Sequence, residues 1–142
     1  MAERIRLGLV GIGKIARDQH LPALAVNDRF ELVATASRSP QQVDGVPGYG
    51  SIEEMIAAGH ELDAVSLATP PQGRHGLAAA AIEAGLHVMT EKPPAATLSE
   101  VEDLALRAKA KGVVLYTSWH SRAAAGVEPA RAWLADKRVT GL

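Results

Sequence analysis

The chain has 142 residues, enough for one domain with its own core and too few for a second of ordinary size beside it. Its hydrophobic share of 47% leans on alanine while aromatics make up 4%, which suits helices packed closely on a sheet better than a core of large rings. A formal net charge of -1 with both signs scattered offers no basic face to nucleic acid, and the lack of cysteine excludes disulfides, a CxxC redox pair and a thiolate zinc site.

Glu3, Arg4 and Arg6 precede an apolar stretch too short and too soon broken for a signal sequence or a membrane span, so the expectation is a cytoplasmic protein with neither membrane nor nucleic acid as partner. Ile5 to Gly11 is a short apolar run ending in glycine, the pattern of a parallel strand covered on both faces. A helical pattern runs from Lys14 to about Asn27, and Pro22 should break or kink it near His20. Phe30 to Ser37 forms the second strand, and Gly45 to Gly50 is a loop with a stub of strand at Tyr49. Ser51 and Glu54 have the spacing of a capping box, opening a helix to about Ala58 that Gly59 closes.

Ala64 to Ala68 is a buried type of strand stopped by Thr69-Pro70-Pro71, and alanine-rich Arg74 to Ala84 is a helix ended by Gly85. His87 to Thr90 is a further strand. Thr97 and Glu100 form another capping box, for a helix reaching Lys111 and Gly112, followed by a strand at Val113 to Thr117 and a helix at Pro129 to Asp136. This alternation predicts an α/β doubly wound Rossmann fold with a mainly parallel sheet of about six strands.

Gly11-Ile12-Gly13-Lys14-Ile15-Ala16 reads G-x-G-x-x-A directly between a strand and a helix. The first glycine permits a tight turn, the second admits a pyrophosphate to the backbone, and the small last residue lets helix and sheet pack closely, with amides and helix dipole converging on the phosphates. The same pattern also fits a plain glycine turn or the loop of an adenosylmethionine-dependent methyltransferase. At the end of the second strand, where NAD-binding folds carry an acid for the ribose 2′-hydroxyl, the sequence is Ala36-Ser37-Arg38-Ser39 with no carboxylate. A hydroxyl followed by a guanidinium suits the 2′-phosphate of NADP, with NAD remaining possible.

Glu91-Lys92-Pro93 follows the fifth strand at the edge where doubly wound folds bind ligands. With the glycine loop, the Thr69-Pro70 turn and the stretch Glu83-Ala84-Gly85-Leu86-His87-Val88, it resembles the glucose-fructose oxidoreductase and inositol dehydrogenase family across nearly the whole chain. In finer detail Ala34 to Arg38, Glu91 to Pro94, Thr97 to Leu104 and Trp119 to Arg122 resemble the bacterial L-arabinose/D-galactose 1-dehydrogenase group. That resemblance implies oxidation of an aldose at C1 to the lactone, with hydride passing to NADP or NAD and a small sugar as the substrate. It implies that Lys92 sits near the nicotinamide and the reacting hydroxyl, that His120 faces the same cleft, and that Thr69, Pro70, Pro71 and Glu91 flank the cofactor. On the residues alone, Lys92 reads equally as a surface lysine and His120 as a hydrogen-bonded loop residue.

Many members of the family carry a histidine where this chain has Arg74, which leaves His75 one position along without a role. The family also places a substrate domain next. Residues 1–136 are therefore expected to be the NADP-binding domain and 137–142 the start of a connection to a domain outside this sequence. No metal is expected, since no histidine pair has zinc spacing. His20, His60 and His87 are read as structural or exposed, Met55 and Met89 as core fillers, and Trp133 as the apolar anchor of the last helix. A cleft face left open should favour a homo-oligomer. A non-catalytic, dinucleotide-sensing module of the same family is the alternative.

Overall fold

The computed structural model describes residues 4–40, 42–43, 45–138 and 140; Met1 to Glu3 and part of the expected exit segment 137–142 lie outside them. A six-stranded parallel sheet is built from β1 (Ile5–Val10), β2 (Phe30–Ala36), β3 (Gly48–Tyr49), β4 (Ala64–Leu67), β5 (His87–Thr90) and β6 (Leu115–Thr117), in the order β3-β2-β1-β4-β5-β6. The helices are α1 (Leu21–Ala25), α2 (Ile52–Ala57), α3 (Arg74–Glu83), α4 (Leu98–Lys111) and α5 (Val127–Leu134). This is the doubly wound Rossmann arrangement the alternation of elements predicts, with β1 and β4 central and the chain winding outward from them in both directions.

One face of the sheet carries most of the core. Val10, Ala34, Ala36, Val65, Leu67 and Val88 meet Ile52 and Met55 of α2, Ala78, Ala81 and Ile82 of α3, and Leu104 and Ala108 of α4. Alanine at 78 and 81 lets α3 lie close to the strands, which is how a chain so poor in aromatics fills its interior. Gly8 serves the same end on β1, since a Cβ there would sit 2.8 Å from Met55 Cε.

The opposite face is covered only in part. A cross-strand row runs Leu9, Ser66, Met89, Tyr116 through β1, β4, β5 and β6. Leu9 and Ser66 are buried on the side where α1 packs, whereas Met89 is half-buried and Tyr116 exposed. Met89 is therefore not a core filler, because its strand neighbours Val88 and Thr90 take the covered face and leave it on the open one. Met55 is fully buried as expected.

Pro22 does not divide the first helix. Helical backbone runs continuously from Lys14 to Ala25, with a π-helical turn over Ala16–His20 in which the Leu21 amide bonds to the Ala16 carbonyl. Proline has no amide for the usual ladder, and the chain widens just before it while Pro22 falls in the first turn of α1. The capping motifs also differ. Thr97 and Glu100 form the full reciprocal box, whereas the Ser51 hydroxyl accepts from the Glu54 amide but the Glu54 carboxylate accepts from Gly50 rather than Ser51.

The last elements shift from their expected bounds. β6 starts at Leu115, and α5 spans Val127–Leu134 with no buried residue. Trp133, expected as an apolar anchor, is 64% exposed, with the Lys137 ammonium 5.5 Å from its ring centre. α5 buries none of its residues, so Trp133 does not anchor it. None of the helices among the described residues is long and apolar enough to cross a membrane.

Two substitutions separate the contributions to stability. Leu104→Ala empties a fully buried site and should cost about 2–5 kcal/mol, while Thr97→Ala removes one cap and should cost about 1 kcal/mol, both read from urea unfolding.

Candidate functional site

The site starts where β1 ends. Gly11 leaves the strand with φ of 90°, and a Cβ on it would lie 2.8 Å from Thr69 Cγ2 and 3.1 Å from the Ala68 carbonyl carbon and oxygen. No other residue combines that backbone with that approach. Gly13 differs: a Cβ there would meet nothing within 4 Å, so its small size leaves open space above the loop rather than relieving a clash. Ile12 and Ala16 turn inward and pack with Leu9 and Ala68, which fixes the loop on the sheet.

Around this loop lies a groove of about 790 Å³. It brings together Gly11, Ile12, Gly13, Ser37, Arg38, Thr69 and Pro70 among the expected cofactor residues. Lys14 and Pro71 lie outside its lining, and Lys14 pairs with Asp18 one turn along. Among the described residues no acidic side chain lines the groove. The Ser37 hydroxyl donates to the Ser39 carbonyl at 2.6 Å and its amide to the Tyr49 carbonyl at 2.9 Å, so the turn carrying Arg38 is held at both ends. Arg38 itself is exposed and has no carboxylate partner among the described residues. Thr69 Oγ1 is buried without a hydrogen-bond partner among the described residues, an unmet group on the wall of the groove that a bound polar ligand would satisfy.

Ile15 and Glu91 belong to a different cavity. A cleft of about 590 Å³ lies on the open face of the sheet, lined by Ile15, His20, Met89, Glu91, Trp119 and His120 among others. His120 begins a 3-10 turn, His120–Ala123, and is exposed there. Lys92 is exposed and lines neither cavity, although its neighbour Glu91 lines the cleft.

The polar centre of this cleft is the pair His20 and Glu91, 2.8 Å apart between Nε2 and Oε1, with His20 Nδ1 3.2 Å from the Ser66 hydroxyl. Both side chains are largely buried, at 9% and 18% exposure. Burial pushes the Glu91 carboxyl up, but hydrogen bonds from Ser118 and His20, the charge of His20 and the Lys92 amide draw it below the usual glutamate range. His20, expected to be structural or exposed, instead lies in the π-helical turn and bonds Glu91.

Arg74 is the larger omission. Its guanidinium is buried and donates to the carbonyls of Thr69, Glu91 and Pro93, across the loops that follow β4 and β5. The Lys92–Pro93 bond is cis. Burial draws the Arg74 guanidinium below the ordinary arginine range, against the raising effect of the Glu91 charge. His75 points elsewhere, to Asp103 on α4 at 2.7 Å, His60 bonds the Tyr49 hydroxyl, and His87 accepts from the Val114 amide. Among the described residues no group of three or more histidine or acidic side chains is placed to hold a metal ion.

Comparison with known proteins settles the family. The model of the GFO/IDH/MocA oxidoreductase family, NAD-binding Rossmann fold, matches residues 5–118. The chain belongs to this family. Galactose 1-dehydrogenase from Pseudomonas fluorescens is 43% identical over 135 residues, covering 95% of this chain and 43% of that protein. The solved D-galactose-1-dehydrogenase from Rhizobium etli superposes with a TM-score of 0.92 at 52% identity, over 98% of this chain and 45% of that one. The WlbA dehydrogenase from Bordetella pertussis, solved with NADH and UDP-GlcNAcA, follows with a TM-score of 0.88 at 30% identity, over 97% and 44%. The chain thus spans less than half the length of these relatives. It is the nicotinamide-dinucleotide-binding domain of an oxidoreductase family, related to galactose 1-dehydrogenase, and the methyltransferase alternative falls.

The two glycines should separate under mutation. Gly13→Ala should keep the melting temperature and lose dinucleotide affinity by about tenfold or more, while Gly11→Ala should lose both, as checked by thermal unfolding and calorimetry. Glu91 gives a pH test. Its folded pKa lies below the unfolded value, so its contribution is complete above about pH 4.3 and is lost as pH falls through the lowered value. Glu91→Gln should therefore flatten the fall in urea midpoint on acidification below about pH 4.3.

Proposed function

We propose that this chain is the NADP-binding half of a sugar 1-dehydrogenase that oxidises an aldose of the arabinose or galactose type at C1 to the lactone. The observation that carries the cofactor preference is Arg38, exposed at the β2 edge of a groove whose described lining residues include no carboxylate. An acid in that place would accept from the 2′-hydroxyl of NAD and repel a 2′-phosphate, whereas a guanidinium can clamp the phosphate with parallel hydrogen bonds. The substrate class is supported by the relatives named galactose 1-dehydrogenase.

In this reading the amides of Ile12 to Ile15 receive the pyrophosphate, with Lys14 beside them, and the open space over Gly13 admits it. Ser37 and Arg38 hold the adenosine end, and Thr69, Pro70 and Pro71 flank the path toward the cleft, where Thr69 Oγ1 gains a partner. A bound nicotinamide would supply the hydride acceptor. Lys92 orients the sugar hydroxyl and takes part in moving its proton, and His120 serves the same cleft. Glu91, bonded to His20, anchors the residue next to Lys92. Residues 1–136 make up the nucleotide domain, and the rest of the substrate site belongs to a part of the protein beyond 137–142, placed against the exposed Tyr116, Trp119 and Trp133.

Calorimetric titration with NADP+ and NAD+ at one fixed salt concentration tests the reading. NADP+ should bind more tightly, and Arg38→Ala should weaken it by about 10- to 100-fold while leaving NAD+ unchanged. Equal binding of both nucleotides with no effect of Arg38→Ala would remove the NADP assignment.

A further inference from the structure

Among the described residues Arg74 is the largest fully buried side chain, 2% exposed, and it sits where stability alone would not favour it. It is the first residue of α3, and the positive end of a helix dipole opposes a cation there. Burial adds a desolvation cost that only well-placed acceptors offset. Those acceptors are main-chain carbonyls from loops that the chain otherwise leaves separate: Thr69 after β4, and Glu91 and Pro93 after β5. Nε has no partner, so the fork is committed to these carbonyls through its terminal nitrogens.

The loops lie on different cavities. Thr69 and Pro70 line the groove, while Glu91 lines the cleft. Glu91 is also held from its other end, its carboxylate bonding His20. The main chain at Lys92 is thus fixed on both sides by the two carbonyls that flank it, those of Glu91 and Pro93, while its side chain is exposed.

We propose that Arg74 is a positioning residue that ties the Thr69 loop to the Glu91–Pro93 loop and so sets Lys92 against the inner end of the dinucleotide groove. The tie is a property of the chain; its consequence for nucleotide binding rests on the function proposed above. The two terminal nitrogens of a guanidinium reach both loops at once, whereas the single, more strongly hydrated ammonium of lysine would hold them less well.

Hydrogen exchange on the unliganded chain tests the tie by itself. Arg74→Ala should raise exchange at the hydrogen-bonded amides of Ala68 and residue 74 in one loop and of Glu91 in the other together by about tenfold or more, with β2 and α4 amides unchanged and Arg74→Lys intermediate. A change confined to one loop, or in neither, overturns the proposal. If Arg74→Ala fails to fold, Arg74→Lys decides on the same criterion.

Nucleotide binding supplies the second readout. Both variants should weaken NADP+ by about tenfold or more and leave adenosine 2′,5′-bisphosphate, which reaches only the Ser37–Arg38 end, within about twofold. Equal weakening of both ligands marks a merely structural arginine and overturns the positioning role, as does no weakening of either. If the unaltered chain binds neither ligand, the dinucleotide reading falls, and the exchange result alone upholds or overturns the tie.

Discussion

The close approach of the β1 and β4 ends at Gly11 governs the carboxyl edge of the sheet. With less than a methyl group's room between Gly11 and Thr69, β1 has to turn there in a left-handed conformation, and the helical run after it is aimed back over the strands. Because β2 lies on one side of β1 and β4 on the other, the loops leaving these strands diverge, and a groove opens between them. Loop amides, the β2 turn with Arg38 and the β4 turn with Thr69 then face one space without any of them having to move.

The two faces of the sheet divide the labour. Small side chains on α3 and a nearly continuous apolar cluster make one face rigid, and it supports the strand ends from behind. The other face is covered by α1 only as far as Ser66, so Met89 and Tyr116 are left to floor a cleft beside His20, Glu91 and His120. Partial cover is what gives the second cavity its place. The polar groups there are not loose: Glu91 is bonded through its carboxylate and its carbonyl by different elements, and Arg74 joins its loop to the wall of the groove.

Much of the fold was legible because its punctuation is local. Glycines at 11, 59, 85 and 112, and the caps at Ser51 and Thr97, mark element ends through backbone chemistry that does not depend on distant residues. The glycine loop and the Ser37-Arg38 turn were readable for the same reason. The failures are all tertiary. Met89 alternates correctly for a strand, but sequence does not say which face a helix will cover. Trp133 has the composition of an anchor but sits exposed on a helix that buries none of its residues. Pro22 signals a lost hydrogen bond, and widening to a π turn is one of several ways to absorb it, chosen here along with the His20 contacts to Glu91 and Ser66. Arg74 was hidden most completely, since a lone arginine at a helix start gives no hint that carbonyls from distant loops will gather around it.

The most direct test of the groove as the dinucleotide site is a map of backbone amide shifts in the isotopically labelled chain on addition of NADP+. Perturbations should concentrate at Gly11 to Ile15, Ser37 to Ser39 and Thr69 to Gly73, fading along α4 and α5. Shifts gathered on another face, or none at saturating nucleotide, would contradict the account.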